Sequence, residues 1–159
     1  MSQNILEIKD HRTYFYTRAG VVKAVDGVSL HVDRGETLGL VGESGSGKSI
    51  TCLSILRLVP RPAGRIVGGQ IMLNGENLLI KSEAEMRKIR GAQISMVLQD
   101  SLAALNPVFS VGDQLTECIR IHQGLKGMNL IDKAKEMLRL VRIDSPEARL
   151  KNYPHELSG

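Results

Sequence analysis

The chain has 159 residues, enough for one domain with a hydrophobic core, and its 42% hydrophobic and 24% charged residues are ordinary for a globular protein. A formal net charge of +4, scattered along the sequence, permits contact with an anionic surface or a nucleic acid but requires neither. The opening MSQNILEIKDHR is too polar for a signal peptide, and no apolar run approaches the roughly 20 residues that span a bilayer.

The first 47 residues predict strands and turns. ILEIK alternates apolar and polar residues, and TYFYT is aromatic and β-branched, so both favour strands. In VVKAVDGVSLHV, the pair Asp26-Gly27 lies between two strand-like runs and predicts a hairpin turn. The run GETLGLVG is short, apolar and bounded by glycines, which is typical of a buried parallel strand.

The next segment changes to a helical period that begins at Lys48. Its apolar residues are Cys52, Ile55, Leu56 and Val59, and we expect Pro60 and Pro62 to stop the helix. GGQIMLNGENLL then predicts a strand and a turn, and SEAEMRKIR predicts a short helix in which Ser82 and Glu85 form a capping box. ISMVLQ predicts a second buried strand.

The part after Gln99 is helical in character. One apolar stripe consists of Val111, Leu115, Cys118, Ile119 and His122. A second, after an expected Asn129 cap, consists of Leu130, Ile131, Ala134, Met137, Leu138 and Val141. Cys52 and Cys118 lack a pairing motif, so we expect two buried, reduced thiols, as in a cytosolic protein. The four histidines, His11, His31, His122 and His155, lack metal-site spacing and are expected to be packed or at the surface.

The motif that carries chemistry is GESGSGKS, Gly42 to Ser49, which matches G-x-x-x-x-G-K-[ST] between a predicted strand and a predicted helix. Glycines let such a loop bring backbone N–H groups close to an anion, and the N-terminus of the next helix attracts phosphate. Lys48 would place its charge on the β- and γ-phosphates, and Ser49 would offer a hydroxyl to Mg²⁺. A dinucleotide-binding fingerprint is excluded because GSGKSI lacks the third glycine.

Two further positions have both a structural and a functional interpretation. Tyr14, Phe15 and Tyr16 are adjacent, and a nucleobase needs a flat apolar partner, although the two tyrosines could simply line one face of a strand with Phe15 on the other. Gln99 follows the predicted strand ISMVL, where α/β sheets place ligands, although a loop glutamine exposed to solvent would have the same sequence position.

Three segments together, AVDGVSLHVDRGETLGLVGESGSGKS, QDSLAALNP and YPHELSG, resemble the ATP-binding subunits of bacterial ABC transporters across nearly the whole chain. The branch that it is most similar to imports dipeptides and oligopeptides and includes nickel and glutathione relatives. The resemblance implies an α/β P-loop NTPase of the ABC type, with an antiparallel β subdomain, an incomplete RecA-like core and an α-helical subdomain, truncated. The 159 residues would be the N-terminal part of one nucleotide-binding domain, with the β subdomain and core over 1–100 and the helical subdomain over about 101–156.

The resemblance also implies roles for individual residues. Phe15, with Tyr16 as its neighbour, takes the place of the family's adenine-stacking aromatic, and Gln99 takes that of the glutamine near Mg²⁺ and the attacking water. Ser158 and Gly159 begin the signature motif, which contacts ATP bound by the opposite subunit. The resemblance implies that Lys48 and Gln99 are catalytic and that Ser49 and Gln99 lie near the metal. The implied cofactor-binding residues of this segment are Gly42, Glu43, Ser44, Gly45, Ser46, Gly47, Lys48, Ser49 and Ile50.

The sequence departs from the family at two modest positions, Leu98 in place of Phe and Ser101 in place of Pro, and it lacks the later aspartate, glutamate and switch histidine that hydrolysis needs. The parent protein is therefore expected to use ATP and Mg²⁺ to drive peptide import, whereas these residues alone would bind nucleotide without turnover. Expected partners are membrane permease subunits, a second and paralogous ATPase subunit, and indirectly a substrate-binding protein, at the cytoplasmic face of the bacterial membrane. A nickel or glutathione importer, a soluble ABC ATPase acting on DNA or ribosomes, and a P-loop kinase are the alternatives, and no nucleic-acid partner is expected.

Overall fold

A computed structural model describes residues 4–99 and 104–157 of the chain. The chain forms two compact units, Met1–Ser95 and Met96–Gly159. Within the described residues, no helix is long and apolar enough to cross a membrane.

The first unit is built on an antiparallel sheet with the strand order β2-β1-β3-β4. Its strands are β1 (Asn4–Thr17), β2 (Gly20–Asp33), β3 (Gly64–Leu73) and β4 (Glu76–Asn77). The predicted strands ILEIK and TYFYT are one long strand, β1. The predicted strand and turn of GGQIMLNGENLL are confirmed: β3 turns into β4 at Asn74 and Gly75, whose φ angles of 49° and 83° suit a tight hairpin.

The hairpin turn predicted at Asp26-Gly27 is wrong. The chain turns at Arg18 and Ala19, where Thr17 pairs with Gly20. Gly27 lies inside β2, where the register with β1 shifts between the pairs His11–Val28 and Arg12–Asp26. Gly27 has a φ of 84°, so the glycine serves a β-bulge in a continuous strand.

Two helices complete the described part of the first unit. Helix α1 (Lys48–Ile55) confirms the predicted start, but it ends before Pro60, because Leu56 closes it and Arg57 has a φ of 54°. Helix α2 (Glu83–Ile89) follows a short 3₁₀ turn, Leu78–Ile80, and has the predicted Ser82–Glu85 capping box. Apolar side chains of the sheet and of these segments form the core: Ile8, Ile71, Leu73, Leu78, Met86 and Ile89.

The two buried strands predicted from GETLGLVG and ISMVLQ are not strands in this structure. Residues 36–43 have no regular secondary structure, and Val41 is 93% exposed. In ISMVLQ only Ile94 forms an isolated bridge, with Arg90, and Val97 is 87% exposed. A parallel strand is held by ladder hydrogen bonds on its flanks, and within the described residues neither run has a neighbouring strand to supply them.

The second unit is helical, with α3 (Val111–Gln123), α4 (Gly127–Leu140) and α5 (Pro146–Arg149), followed by a 3₁₀ turn, Pro154–Glu156. Its core consists of Ile119, Ala134, Leu138 and Leu150. Both predicted helices are confirmed, but their N-terminal residues differ. Ser110 caps α3 with Asp113, and α4 begins after Lys126, which leaves Asn129 inside the helix and not at its cap.

The cysteines are free, as expected, but they are not both buried. Cys52 is half-buried and Cys118 is exposed. The buried face of α3 follows the four-residue steps Val111, Leu115 and Ile119, and Cys118 falls beside it. Among the histidines, His11 is packed inside the first unit, and His31, His122 and His155 are exposed, in line with the prediction.

Candidate functional site

The loop Gly42–Ser49 takes the conformation that a phosphate-binding loop requires. Gly45 and Gly47 have φ angles of 83° and 91°, a region that residues with a side chain adopt at a cost. The Ser46 N–H donates to the Glu43 carbonyl oxygen over 3.2 Å and closes the turn. Gly47 is the N-cap of α1, with no side-chain cap and no acidic residue in the first helical turn. The first N–H groups of α1 are therefore left to an anion.

Gly47 also fixes where the loop lies in the first unit. A Cβ atom on Gly47 would be 2.3 Å from the Ala24 carbonyl oxygen and 3.4 Å from Cγ2 of Val25. Only a glycine allows the start of α1 to approach β2 this closely. The last glycine of the loop is therefore required both by its φ angle and by its contact with the sheet.

The Lys48 side chain folds back over the loop. Its Nζ donates to the carbonyl oxygens of Gly42 and Glu43, each over 2.6 Å, and to Oγ of Ser46 over 3.2 Å. An ammonium group has three N–H donors, and oxygen atoms of the loop accept all three. These bonds fix the positive charge beside the loop. Since no carboxylate neutralises Lys48 among the described residues, the charge remains available to phosphate oxygens.

The donor set of this loop suits a polyphosphate. Backbone N–H groups at the start of a helix and a lysine ammonium are the groups that bind phosphate in proteins. Ser49 is exposed in the first turn of α1, where its hydroxyl can serve as one hard oxygen ligand for Mg²⁺. Among the described residues, no group of three or more His, Cys, Asp or Glu side chains could hold a metal ion.

The aromatic triplet divides between the two faces of β1. Tyr14 donates its hydroxyl proton to Oδ1 of Asp26 over 2.6 Å, and the Arg65 guanidinium lies 5.2 Å from the ring centre of Tyr16. The hydrogen bond to Asp26 raises the pKa of Tyr14, and the same bond lowers the pKa of Asp26. Phe15 is half-buried on the opposite face, where its Cε1 approaches Gly64. The expected alternation is confirmed, and stacking of Phe15 on a nucleobase stays a prediction.

The remaining predicted site residues lie elsewhere in the chain. The structure brings Gly42 to Ile50 together in one loop and helix of the unit that also holds Phe15. Gln99 is exposed and belongs to the second unit, so its part in the site stays a prediction. The predicted signature residues Ser158 and Gly159 lie outside the described residues.

A buried polar chain connects β1 with α1, and the sequence patterns did not indicate it. The side chains of His11, Thr13 and Ser54 are all fully buried. Oγ1 of Thr13 lies 2.9 Å from Nε2 of His11 and 3.0 Å from Oγ of Ser54.

Comparison with known proteins agrees with the site's geometry. The profile of the family described as "ABC transporter" matches residues 25–159. A probable peptide ABC transporter ATP-binding protein of Sinorhizobium fredii is 50% identical over 98% of this chain and 46% of its own length. The oligopeptide transport ATP-binding protein OppD of Bacillus subtilis is 44% identical over 98% of this chain and 43% of its own. The chain thus spans less than half the length of these relatives.

A solved structure shares the fold. The ATP-binding cassette MJ0796, in a dimeric post-hydrolysis state bound to ADP and Pi, matches with a TM-score of 0.82 and 21% identity over 96% of this chain and 63% of its own. At this identity the likeness concerns the fold alone. It confirms the α/β fold class predicted from the sequence.

Proposed function

The chain belongs to the ABC transporter family, and on that premise we propose that it binds ATP for a transporter that imports di- and oligopeptides. The observation that carries ATP binding is the loop Gly42–Ser49 at the start of α1, with the Lys48 ammonium held across its mouth. The peptide cargo is supported by the names of the relatives from S. fredii and B. subtilis.

Within this proposal each loop residue has a distinct part. The first N–H groups of α1 and the Lys48 ammonium bind the phosphates, and the Ser49 hydroxyl supplies a ligand to Mg²⁺. Phe15 stacks on the adenine, and Gln99 orients the attacking water beside the metal. Ser158 and Gly159 contact the nucleotide of the opposite subunit. These roles follow the family's positions and are supported by the loop geometry for Gly42 to Ile50.

The wider setting is part of the same proposal. The partners are permease subunits in the membrane, a second, paralogous ATPase subunit, and a substrate-binding protein that acts through the permease. The site is then at the cytoplasmic face of the membrane. The 159-residue polypeptide by itself is expected to bind ATP without turnover, because hydrolysis requires a positioned water and a held metal, and the aspartate and glutamate that the family uses for these tasks are not among these residues.

The direct test is calorimetric titration of the chain with ATP and Mg²⁺. Removing the charge in Lys48→Ala should weaken binding by about 10- to 100-fold, the range for a hydrogen bond to a charged group. Lys151→Ala, which removes an exposed lysine of the second unit, should leave the affinity unchanged. Equal affinity of the wild-type and Lys48→Ala chains would overturn ATP binding by this loop.

The cargo and the turnover are tested separately. Cells carrying the full-length parent should take up labelled oligopeptides, and Lys48→Ala in that parent should stop the uptake. Dependence of nickel or glutathione uptake on Lys48, in place of peptide uptake, would overturn the peptide cargo. Phosphate release by the 159-residue chain above the Lys48→Ala level would contradict binding without turnover.

A further inference from the structure

Three buried side chains form a directed chain of hydrogen bonds between β1 and α1. Ser54 Oγ donates its only proton to the Ile50 carbonyl oxygen over 2.7 Å. At the 3.0 Å contact between the two hydroxyls, Oγ1 of Thr13 must therefore be the donor. With its own proton used, Oγ1 of Thr13 accepts from Nε2 of His11 over 2.9 Å. The network thus places a proton on Nε2 of His11.

The other ring nitrogen of His11 supports this assignment. Nδ1 is buried and has no hydrogen-bond partner among the described residues. A second proton would leave a buried, unpaired N–H on a charged ring, and burial lowers the pKa of His11. The hydrogen-bond chain therefore has one direction, from His11 through Thr13 and Ser54 to the backbone of the first helical turn of α1.

A bulge in β1 turns these side chains towards α1. Lys9 pairs with Gln70 and Arg12 with Gly68, so Asp10 and His11 together oppose the single residue Gly69. Simple alternation from buried Ile8 would place Asp10 on the inner face. Because of the extra residue, His11 and Thr13 lie on the inner face instead, and both are fully buried. Continued alternation then places Phe15 on this inner face as well.

The two ends of α1 are thereby fixed to neighbouring strands. At its start, Gly47 lies against Ala24 and Val25 of β2, and near its end, Ser54 bonds to Thr13 of β1. Thr13 and Val25 are themselves paired in the sheet. The helix cannot slide along β1 without breaking a buried hydrogen bond, which leaves a polar group unsatisfied.

We propose that His11, Thr13 and Ser54 are positioning residues that hold α1, and with it the phosphate loop, in a fixed relation to Phe15 on β1. This role rests on the proposed binding of ATP, because one ATP molecule must reach the phosphate loop and the aromatic ring at once. The hydrogen-bond network sets the distance between the phosphate loop and the Phe15 ring. It does so because it joins α1 to Thr13, two positions before Phe15 on the same face of the strand. A ligand with phosphates and no base does not depend on the separation.

The test compares two ligands, ATP and inorganic triphosphate, titrated calorimetrically into the 159-residue chain. Thr13→Val keeps the shape of the side chain and removes the hydroxyl, and Ser54→Ala removes the other link. Each should weaken ATP binding by about three- to tenfold and leave triphosphate binding within about twofold. Thr13→Ser, which keeps the hydroxyl, should bind ATP like the wild-type chain. Triphosphate binding also reports that the loop of each variant is folded.

Each outcome decides between the proposals. Equal losses for ATP and triphosphate would make the network a general support of the loop and overturn the positioning role, as would unchanged ATP affinity in Thr13→Val and Ser54→Ala. A wild-type chain that bound neither ligand would overturn the proposed function, and the positioning role with it. The ¹⁵N NMR spectrum of the His11 ring should show the proton on Nε2 in the wild-type chain, and a proton on Nδ1 would overturn the directed network.

Discussion

The phosphate loop and the apolar run that precedes it are adjacent in the sequence, yet only the loop keeps its predicted form. In Gly42–Ser49 the glycine φ angles, the Lys48 hydrogen bonds and the start of α1 all follow the motif. In the preceding run, Leu38 and Leu40 are 44% and 43% exposed, and residues 36–41 form no strand. The bonds that shape the loop join residues within about six positions of one another, although its place against the sheet depends on distant contacts, whereas a parallel strand forms only beside its neighbours.

The same contrast applies to the second run, where Val97 and Leu98 are exposed although the sequence predicts a buried strand. An apolar run in the sequence therefore indicates only that the segment can be buried. Whether it is buried depends on the elements that surround it. Single substitutions can test which features depend on nearby residues and which depend on packing against distant ones, through their effect on the free energy of unfolding.

The largest effect should come from Gly47→Ala, which tests both the φ angle of the loop and its contact with β2. The new methyl group would meet the Ala24 carbonyl oxygen at 2.3 Å, and the φ of 91° is strained for any residue with a Cβ. We expect the free energy of unfolding to fall by about 2–4 kcal/mol in urea denaturation. Gly75→Ala is the matched control, because Gly75 has a φ of 83° in open space and isolates the cost of the φ angle. Equal losses in both variants would mean that the contact with Ala24 yields freely.

A second effect should appear as a dependence of stability on pH. Burial lowers the pKa of His11 below its ordinary 6.5, so as the pH falls through 6.5 the unfolded chain binds a proton that the folded chain excludes. The free energy of unfolding should then decrease towards acid, by at most about 1.4 kcal/mol per pH unit for one proton, and level off below the folded pKa. The contribution is complete above pH 6.5.

Denaturation of wild-type and His11→Gln chains at several pH values between 7 and 5 measures this dependence. The variant should lose the part of the slope that His11 supplies, because glutamine does not titrate. Ser95→Ala, which removes no titrating group at an exposed site, should keep the wild-type slope. An unchanged slope in His11→Gln would show that the buried imidazole is not protonated on unfolding.

These contrasts explain which features the sequence could predict. The phosphate loop and the Ser82–Glu85 box are signals contained in a few consecutive residues, and both form as predicted. The turn predicted at Gly27 is wrong because a positive φ angle, which favours glycine, occurs both in a turn and in a bulge inside a strand. The link between Thr13 and Ser54 joins residues 41 positions apart and depends on a bulge opposite Gly69, so no local pattern contains it.

A smaller effect is expected from Ser82→Ala, a local signal with little burial around it. Ser82 Oγ accepts from the Glu85 N–H, and the Glu85 carboxylate accepts from the Ser82 N–H over 2.7 Å. Loss of the cap should lower the free energy of unfolding by about 1 kcal/mol. It should also raise the pKa of Glu85, which the Ser82 side chain now holds below its ordinary value. Ser95→Ala, at an exposed site, is the control, and equal losses in the two variants would contradict the cap's contribution.

The smallest effect should come from Val41→Thr, in the apolar run that precedes the phosphate loop. Val41 is 93% exposed, so exchanging a methyl group for a hydroxyl should change the free energy of unfolding by less than about 0.5 kcal/mol. The same substitution at Val25, which is 3% exposed in β2, buries the hydroxyl and should cost about 1–3 kcal/mol. A loss at Val41 equal to that at Val25 would mean that the run is buried in solution. Because the two substitutions are chemically identical, any difference between them measures the surroundings and not the residue.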